Sequence, residues 1–283
     1  MKILVTGVKG QLGYDLCRIL AKRGIDHKGV DIEDFDITDA NATSGYIRSY
    51  QPDAIIHCSA FTAVDKAEDI PEACERVNCD GTRNIALVAK EIGAKMMYIS
   101  TDYVFAGDGE QFYTPDDLPA PTSVYGTTKY KGELAVRELL ERFFIVRISW
   151  VFGINGANFV KTMLRLSETR SDLNVVCDQV GSPTYTLDLA ELLCDMIVTD
   201  CYGIYHATNE GICSWAEFSS EIMRQANRET KIHPIPSSEY PQKAKRPSNS
   251  RMSKDKLTEN GFSRLPDWKD ALARYLTELN NNG

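Results

Sequence analysis

The stretch Thr6-Gly7-Val8-Lys9-Gly10-Gln11-Leu12-Gly13 follows the apolar run Ile3-Leu4-Val5. It leads into a segment with Leu12, Leu16, Ile19 and Leu20 at helical spacing. A buried strand, a G-x-x-G-x-x-G loop and a helix, in that order, leave few folds open. Gly7 permits a tight turn, Gly10 lets backbone approach a pyrophosphate, and Gly13 lets helix lie close to strand. The helix start, at Gln11 and Leu12, offers unpaired N–H groups and the positive end of its dipole to an anion. Asp31 closes the next strand-like stretch, where a carboxylate can accept hydrogen bonds from an adenosine ribose. Loop and acid together predict a dinucleotide site.

Further strands are expected over 54–57, 95–100 and 143–148, and helices over 38–50, 70–91 and 124–141. Short apolar strands alternating with amphipathic helices predict an α/β fold, a Rossmann-type doubly wound parallel sheet with helices on both faces. After about residue 150, Gly and Pro become frequent and the helices shorten. Residues 1–150 therefore read as the dinucleotide-binding domain. Residues 151–283 read as mainly a smaller α/β substrate lobe, free to return segments to the first. Asp36 and Ile37 fall where a loop touches the adenine, and Ser59-Ala60-Phe61-Thr62 lines the trough at the carboxyl end of the third strand. Asp31 repels a 2′-phosphate and no Arg follows it, whereas Lys9 offsets the repulsion. NADH is slightly favoured and NADPH stays open.

Acidic residues outnumber basic ones 40 to 32, for a net charge of −8. A nucleic-acid partner needs a basic footprint and is not expected. No apolar run reaches the roughly 18–20 residues of a membrane span. The opening apolar run is too short for a signal-peptide core and is followed by glycines. The eight cysteines form no C-x-x-C and do not pair with the four histidines at ligand spacing. They read as small buried hydrophobes in a reducing compartment, so a cytoplasmic location is expected.

Tyr125-Gly126-Thr127-Thr128-Lys129 sets a phenol and an ammonium at i and i+4 on one helix face. A phenol with a pKa near 10 is a poor acid at neutral pH, and a neighbouring ammonium lowers that value. Lys129 can also bond the nicotinamide ribose. Thr101, at the end of the fourth strand, supplies a hydroxyl to hold a substrate oxygen against Tyr125.

These residues, in this order, resemble the short-chain dehydrogenase/reductase superfamily in its extended, sugar-nucleotide branch. Ala63-Val64-Asp65-Lys66-Ala67-Glu68, Ser100-Thr101-Asp102-Tyr103-Val104-Phe105, Arg147-x-Ser149-Trp150-Val151-Phe152, Asn158-Phe159-Val160-Lys161-Thr162-Met163, Asp178-Gln179-Val180-Gly181-Ser182-Pro183-Thr184 and Lys245-Arg246-Pro247-Ser248-Asn249-Ser250 narrow the resemblance to the dTDP-4-dehydrorhamnose reductase family. The resemblance implies reduction of the C4 keto group of dTDP-4-dehydro-β-L-rhamnose with NADH or NADPH, the last step of dTDP-L-rhamnose synthesis. Tyr125 would donate the proton, Lys129 tune it and Thr101 hold the keto oxygen. Asp102, Trp150 and Asn158 would meet the sugar, and Arg246 the diphosphate. Some members are described as dimers joined through a magnesium site of acidic side chains. Here Asp15 stands where they carry Glu, and Leu187 falls near another expected acid. No metal is expected, and monomer and homodimer are equally open.

Two other readings share the fold. A 4,6-dehydratase carries Asp-Glu after the Thr, whereas Asp102 is followed by Tyr103, and epimerases fit Thr101-Asp102-Tyr103 poorly. A non-catalytic NAD(P)-binding regulatory subunit would be favoured by loss of the Tyr or the Lys. Both are present.

Overall fold

The computed structural model describes residues 1–281; positions 282 and 283, at the end of the expected second lobe, lie outside them. A six-stranded sheet comprises β1 (Ile3–Thr6), β2 (His27–Val30), β3 (Ala54–His57), β4 (Lys95–Thr101), β5 (Phe143–Ile148) and β6 (Gly203–His206). Its order is β6-β5-β4-β3-β1-β2 and every pairing is parallel. β1, β3 and β4 are buried along their whole length, which is why they read as unbroken apolar runs.

Parallel strands need crossover connections, and the helices supply them on both faces. On one face, α1 (Gln11–Lys22) buries Leu12, Leu16, Ile19 and Leu20 with Leu189, Leu193, Met196 and Ile197 of a later helix, Thr186–Ile197. The other face is covered by α2 (Ala40–Tyr50), a helical run α3 (residues 71–92) and α4 (Val124–Leu139), through Ile47, Ile85, Val88 and Val136. The architecture is the doubly wound one expected.

The run α3 is not one regular helix as expected. It comprises Pro71–Glu75, a π-helical Arg76–Gly81 and Thr82–Ile92. The Thr82 hydroxyl donates to the Asn78 carbonyl at 2.8 Å, drawing that carbonyl toward a side-chain donor where the turn widens.

In the second half, Thr186–Ile197 and β6 add a helix and an edge strand to the first layer. Elsewhere short strands pair locally: Val180–Gly181 lies between Cys213–Ser214 and Asn249–Ser250, and Asp172–Val176 lies beside Lys231–Ile235. An aromatic core of Phe152, Tyr185, Phe218, Trp268 and Tyr275 holds this part together. It is fastened to the glycine loop by the Asn155 amide, which donates to the Lys9 carbonyl at 2.7 Å. Among the described residues no helix is long and apolar enough to cross a membrane. All eight cysteines are free; Cys74, Cys194 and Cys213 are buried as expected, but Cys177 is exposed.

Candidate active site

Strand order reverses between β1 and β3, which opens a crevice at their carboxyl ends. Gly7 turns the chain there at φ 73°, and a Cβ on it would lie 2.7 Å from the Ser59 nitrogen. A Cβ on Gly13 would lie 2.3 Å from the Gly7 carbonyl oxygen, so its close approach is to the loop itself rather than to the strand. Helix α1 starts after Gly10 with no side-chain cap. Its first N–H groups are left to whatever enters the crevice. This cradle fits a dinucleotide diphosphate.

A cleft of about 730 Å³ runs from there across the sheet edge. Its walls include Gly7, Gly10, Gln11, Leu12, Gly13, Asp31, Asp36, Ile37, Ser59, Ala60 and Thr62 at one end, and Thr101, Asp102, Tyr125, Lys129, Trp150 and Asn158 at the other. Two expected residues stand elsewhere. Phe61 does not line the cleft; its backbone N–H donates to Asn78 Oδ1 at 2.8 Å and its carbonyl accepts from Asn78 Nδ2 at 3.2 Å. Arg246 lines a neighbouring cavity of about 580 Å³ with Lys243, Lys245 and Asp178. It pairs there with Asp65 at 2.5 Å, and its Nη1 lies 3.4 Å from the Tyr103 hydroxyl at the edge of the first cleft.

At the cofactor end the Asp31 carboxylate accepts the N–H of Lys9 at 2.8 Å and of Ile32 at 2.9 Å. The Lys9 ammonium pairs with Glu33, and that hydrogen bond raises its pKa. The cation that could answer a 2′-phosphate already has a carboxylate partner.

At the other end, Ser123 caps α4 by accepting the Gly126 N–H at 3.1 Å, and Tyr125 and Lys129 follow on one face. Lys129 is buried; its Nζ donates to the Ile99 carbonyl at 2.7 Å. Burial pushes its pKa down to about 7, with Glu133 one turn along opposing the fall. Burial also pushes the Tyr125 phenol up, with the Thr101 hydroxyl opposing. The expected lowering of the phenol does not prevail: desolvation penalises the phenolate, and Asp102, Tyr103 and Cys74 add to that penalty. A phenol that keeps its proton suits a proton donor.

Thr101 donates its hydroxyl to Asp102 Oδ1 at 2.9 Å and accepts the Tyr103 N–H at 3.2 Å. Asp102 is buried and also accepts from Ser250; burial pushes its pKa up to about 6. Asn158, expected against the sugar, has its amide committed to scaffolding. Its Oδ1 caps the helix Phe159–Ser167 through the Lys161 N–H at 3.0 Å, and its Nδ2 reaches the Gly153 carbonyl at 2.8 Å and Gln11 Oε1 at 3.2 Å. Trp150 forms a wall of the cleft at φ 51°, a left-handed backbone that a bulky residue rarely adopts. Its indole stacks on Trp215 with centroids 3.8 Å apart and planes 15° apart.

Three supporting groups escaped the sequence reading. Asn78 ties the cofactor trough to α4, donating also to Thr128 Oγ1 at 3.1 Å. Glu133 is fully buried and accepts from Arg147 Nε at 2.9 Å and Nη2 at 2.8 Å, and from Ser100 Oγ at 2.6 Å. Tyr98 lies directly beneath Lys129, 4.1 Å from its Nζ to the ring centroid. A carboxylate one helical turn from Lys129 was a usable signal; the other two had none beyond a polar atom in a core pattern.

The surroundings of Asp15 do not fit magnesium. Its carboxylate is buried and accepts from Thr186 Oγ1 at 2.5 Å and Arg18 Nη1 at 2.7 Å, and Leu187 adds no donor. A guanidinium occupies the position a second cation would contest.

The family described as RmlD substrate binding domain matches residues 1–281. The spore coat polysaccharide biosynthesis protein SpsK of Bacillus subtilis (strain 168) is 42% identical over 277 residues, covering 98% of this chain and 97% of its own. The dTDP-4-dehydrorhamnose reductase of Escherichia coli (strain K12) is 37% identical over 297 residues, covering 99% and 98%. A crystal structure of dTDP-4-dehydrorhamnose reductase from Bacillus anthracis str. Ames in complex with NADP aligns with a TM-score of 0.96 at 41% identity, covering 98% of this chain and 100% of that one.

Proposed function

The chain belongs to the RmlD substrate binding domain family, and on that premise we propose that it reduces the C4 keto group of dTDP-4-dehydro-β-L-rhamnose, giving dTDP-L-rhamnose. The observation that carries this reading is one cleft with an uncapped glycine loop and Asp31 at one end and Thr101, Tyr125 and Lys129 at the other. A reduced nicotinamide bound in the cleft supplies the hydride to the carbonyl carbon. Tyr125 gives its phenolic proton to the carbonyl oxygen as that oxygen gains charge, so ketone, hydride and proton balance as a secondary alcohol. Lys129 stabilises the phenolate left behind while it carries its own proton. The Thr101 hydroxyl turns from Asp102 toward the same oxygen and orients it. Trp150 offers its indole to the apolar side of the 6-deoxysugar, and Arg246 with Lys243 and Lys245 draws the diphosphate toward the neighbouring cavity.

Both reduced cofactors serve in this reading, NADH slightly better. Asp31 and Glu33 set two carboxylates near the ribose against the single ammonium of Lys9. Eight free cysteines suit the reducing cytoplasm. The test is a coupled assay in which the keto-sugar is made in situ and loss of NADH or NADPH absorbance is followed, with the product identified by mass and NMR. Cofactor binding without turnover of the keto-sugar would sink the reading in favour of a non-catalytic subunit.

A further inference from the structure

We propose that Tyr98 is a positioning residue for the proton transfer: its ring face holds the Lys129 ammonium at its post beside Tyr125. The inference rests on the roles given above to Tyr125 and Lys129 and adds a third, remote group to them.

Lys129 is a buried amine with no carboxylate in contact among the described residues. Its recorded hydrogen bond goes to the Ile99 carbonyl, which cannot neutralise a charge. A cation taken out of water needs compensation from somewhere. The Tyr98 ring supplies it, because the negative face of an aromatic quadrupole attracts an ammonium within about 6 Å, and here the separation is 4.1 Å.

The ring is held in place from several sides. Its hydroxyl lies 3.3 Å from the Lys129 carbonyl and 3.4 Å from the Asn78 carbonyl in the π-helical segment. Room for that hydroxyl exists only because position 132 is glycine, where a Cβ would come within 2.4 Å of it. The ring also stacks on His57, with centroids 5.6 Å apart and planes 26° apart. His57 is itself pinned between the Thr6 and Thr82 hydroxyls at 2.8 and 3.1 Å. Tyr98 is fully buried, so none of this is a surface accident.

Other groups that face Lys129 act in known directions. Glu133 on α4, Cys58 after β3 and Cys74 on α3 favour its charged form, while burial opposes it. His57 on β3 is held neutral, its pKa pushed down to about 3 by burial and by Lys129 itself. Tyr125 keeps its proton. Of these groups His57 alone touches the ring of residue 98, and it is neutral across the range in which Lys129 titrates.

The test is the pH dependence of kcat/KM for the keto-sugar at saturating reduced cofactor, in Tyr98→Leu, Tyr98→Phe and chains carrying mono-, di- and trifluorinated phenylalanine at position 98. Turnover needs Lys129 protonated, so the rate falls as pH rises through its pKa. Loss of the ring lowers that pKa and brings the fall to lower pH. Tyr98→Leu should move the limb down by about 0.4–1.5 pH units, a cation–π contribution of ~0.5–2 kcal/mol at 1.36 kcal/mol per unit. Tyr98→Phe keeps the ring and should leave the limb in place, and each added fluorine should move it stepwise. The fluorinated series preserves shape and decides the matter if the leucine variant does not fold. A folded leucine variant or fluorinated series whose limb does not move overturns the proposal and reduces Tyr98 to core packing. If the parent protein shows no reductase activity, the functional reading has failed instead. The Lys129 titration is then followed directly by NMR of ¹³C-labelled lysine, where an unchanged midpoint in Tyr98→Leu overturns the proposal equally.

Discussion

Replacing Glu133 by Gln keeps the shape of a buried side chain and removes its charge. The Arg147 guanidinium would then retain the Pro115 carbonyl at 3.4 Å, His206 Nε2 at 3.5 Å and the Phe105 ring at 4.9 Å, none of them a counter-charge. Arg147 is 1% exposed, so water cannot take over the lost role. Breaking one side of a buried ion pair costs about 3–5 kcal/mol. The new amide oxygen can still accept one guanidinium N–H, so the lower end, about 3 kcal/mol, is expected. At about 2 °C per kcal/mol for a chain of this size, Tm should fall by roughly 6 °C, read by calorimetry at neutral pH. The double variant Glu133→Leu/Arg147→Met removes both charges together and should melt above either single variant, because no ion is left stranded. A Glu133→Gln protein melting within about 1 °C of the parent, less than about 0.5 kcal/mol by the same conversion, would refute the reasoning. So would a double variant less stable than both singles.

Tyr125→Phe should keep the fold and cofactor affinity and lower kcat by roughly 10²–10⁴-fold, since it deletes the proton donor; near-normal turnover removes Tyr125 from that role. Asp31→Ala should weaken NADH more than NADPH, because it deletes ribose hydrogen bonds and relieves repulsion of a 2′-phosphate; calorimetric Kd values for both cofactors check it, and equal losses count against it. Trp150→Ala should raise KM for the keto-sugar and spare the Kd for NADH, and a variant losing both equally would reassign Trp150 to the core. Asp102 has its folded pKa raised to about 6 from 3.8 by burial, so the folded chain binds the extra proton between those values. Its contribution to stability is fully present below about pH 4 and is lost as pH rises through about 6. Asp102→Asn should flatten that part of the stability–pH curve, measured by denaturant titration at a series of pH values.

The cofactor half of the cleft was legible because its signals are local. Gly7, Gly10 and Gly13 act through close backbone approach and Asp31 through its carboxylate on the glycine loop, and the strand–loop–helix order places them. The Tyr125–Lys129 pair was legible for the same reason, since helical spacing alone puts the two on one face. What escaped depends on partners far along the chain. The ion pair of Arg246 with Asp65, and the contacts of the Asn158 amide with Gln11 and Tyr275, join residues far apart in the chain. The widened turn in α3 is invisible to periodicity, although Val77, Asn78, Asp80 and Gly81 across it are weak helix formers. The Thr82 back-bond that accompanies it spans only four residues, whereas the hold of Phe61 on Asn78 is tertiary. The direction of the Tyr125 shift was misjudged because a sequence displays neighbours in charge but not the loss of water around them.

Strand β6 has a consequence for how the chain is made. It covers the edge of β5, yet about fifty residues separate Ile148 from Gly203. At roughly 5–20 residues per second, a ribosome takes on the order of three to ten seconds to supply them. For that interval the nascent chain holds a nearly finished sheet with an open edge at β5. The apolar face of α1 also waits, since Leu189, Leu193 and Ile197 arrive just before β6. An unpaired parallel edge beside an uncovered greasy helix is a template for joining another chain. Ribosome-bound intermediates in which β5 has emerged and β6 has not are therefore the species that a holdase chaperone would meet, and synthesis slowed at that stage should cost more yield than the same delay elsewhere.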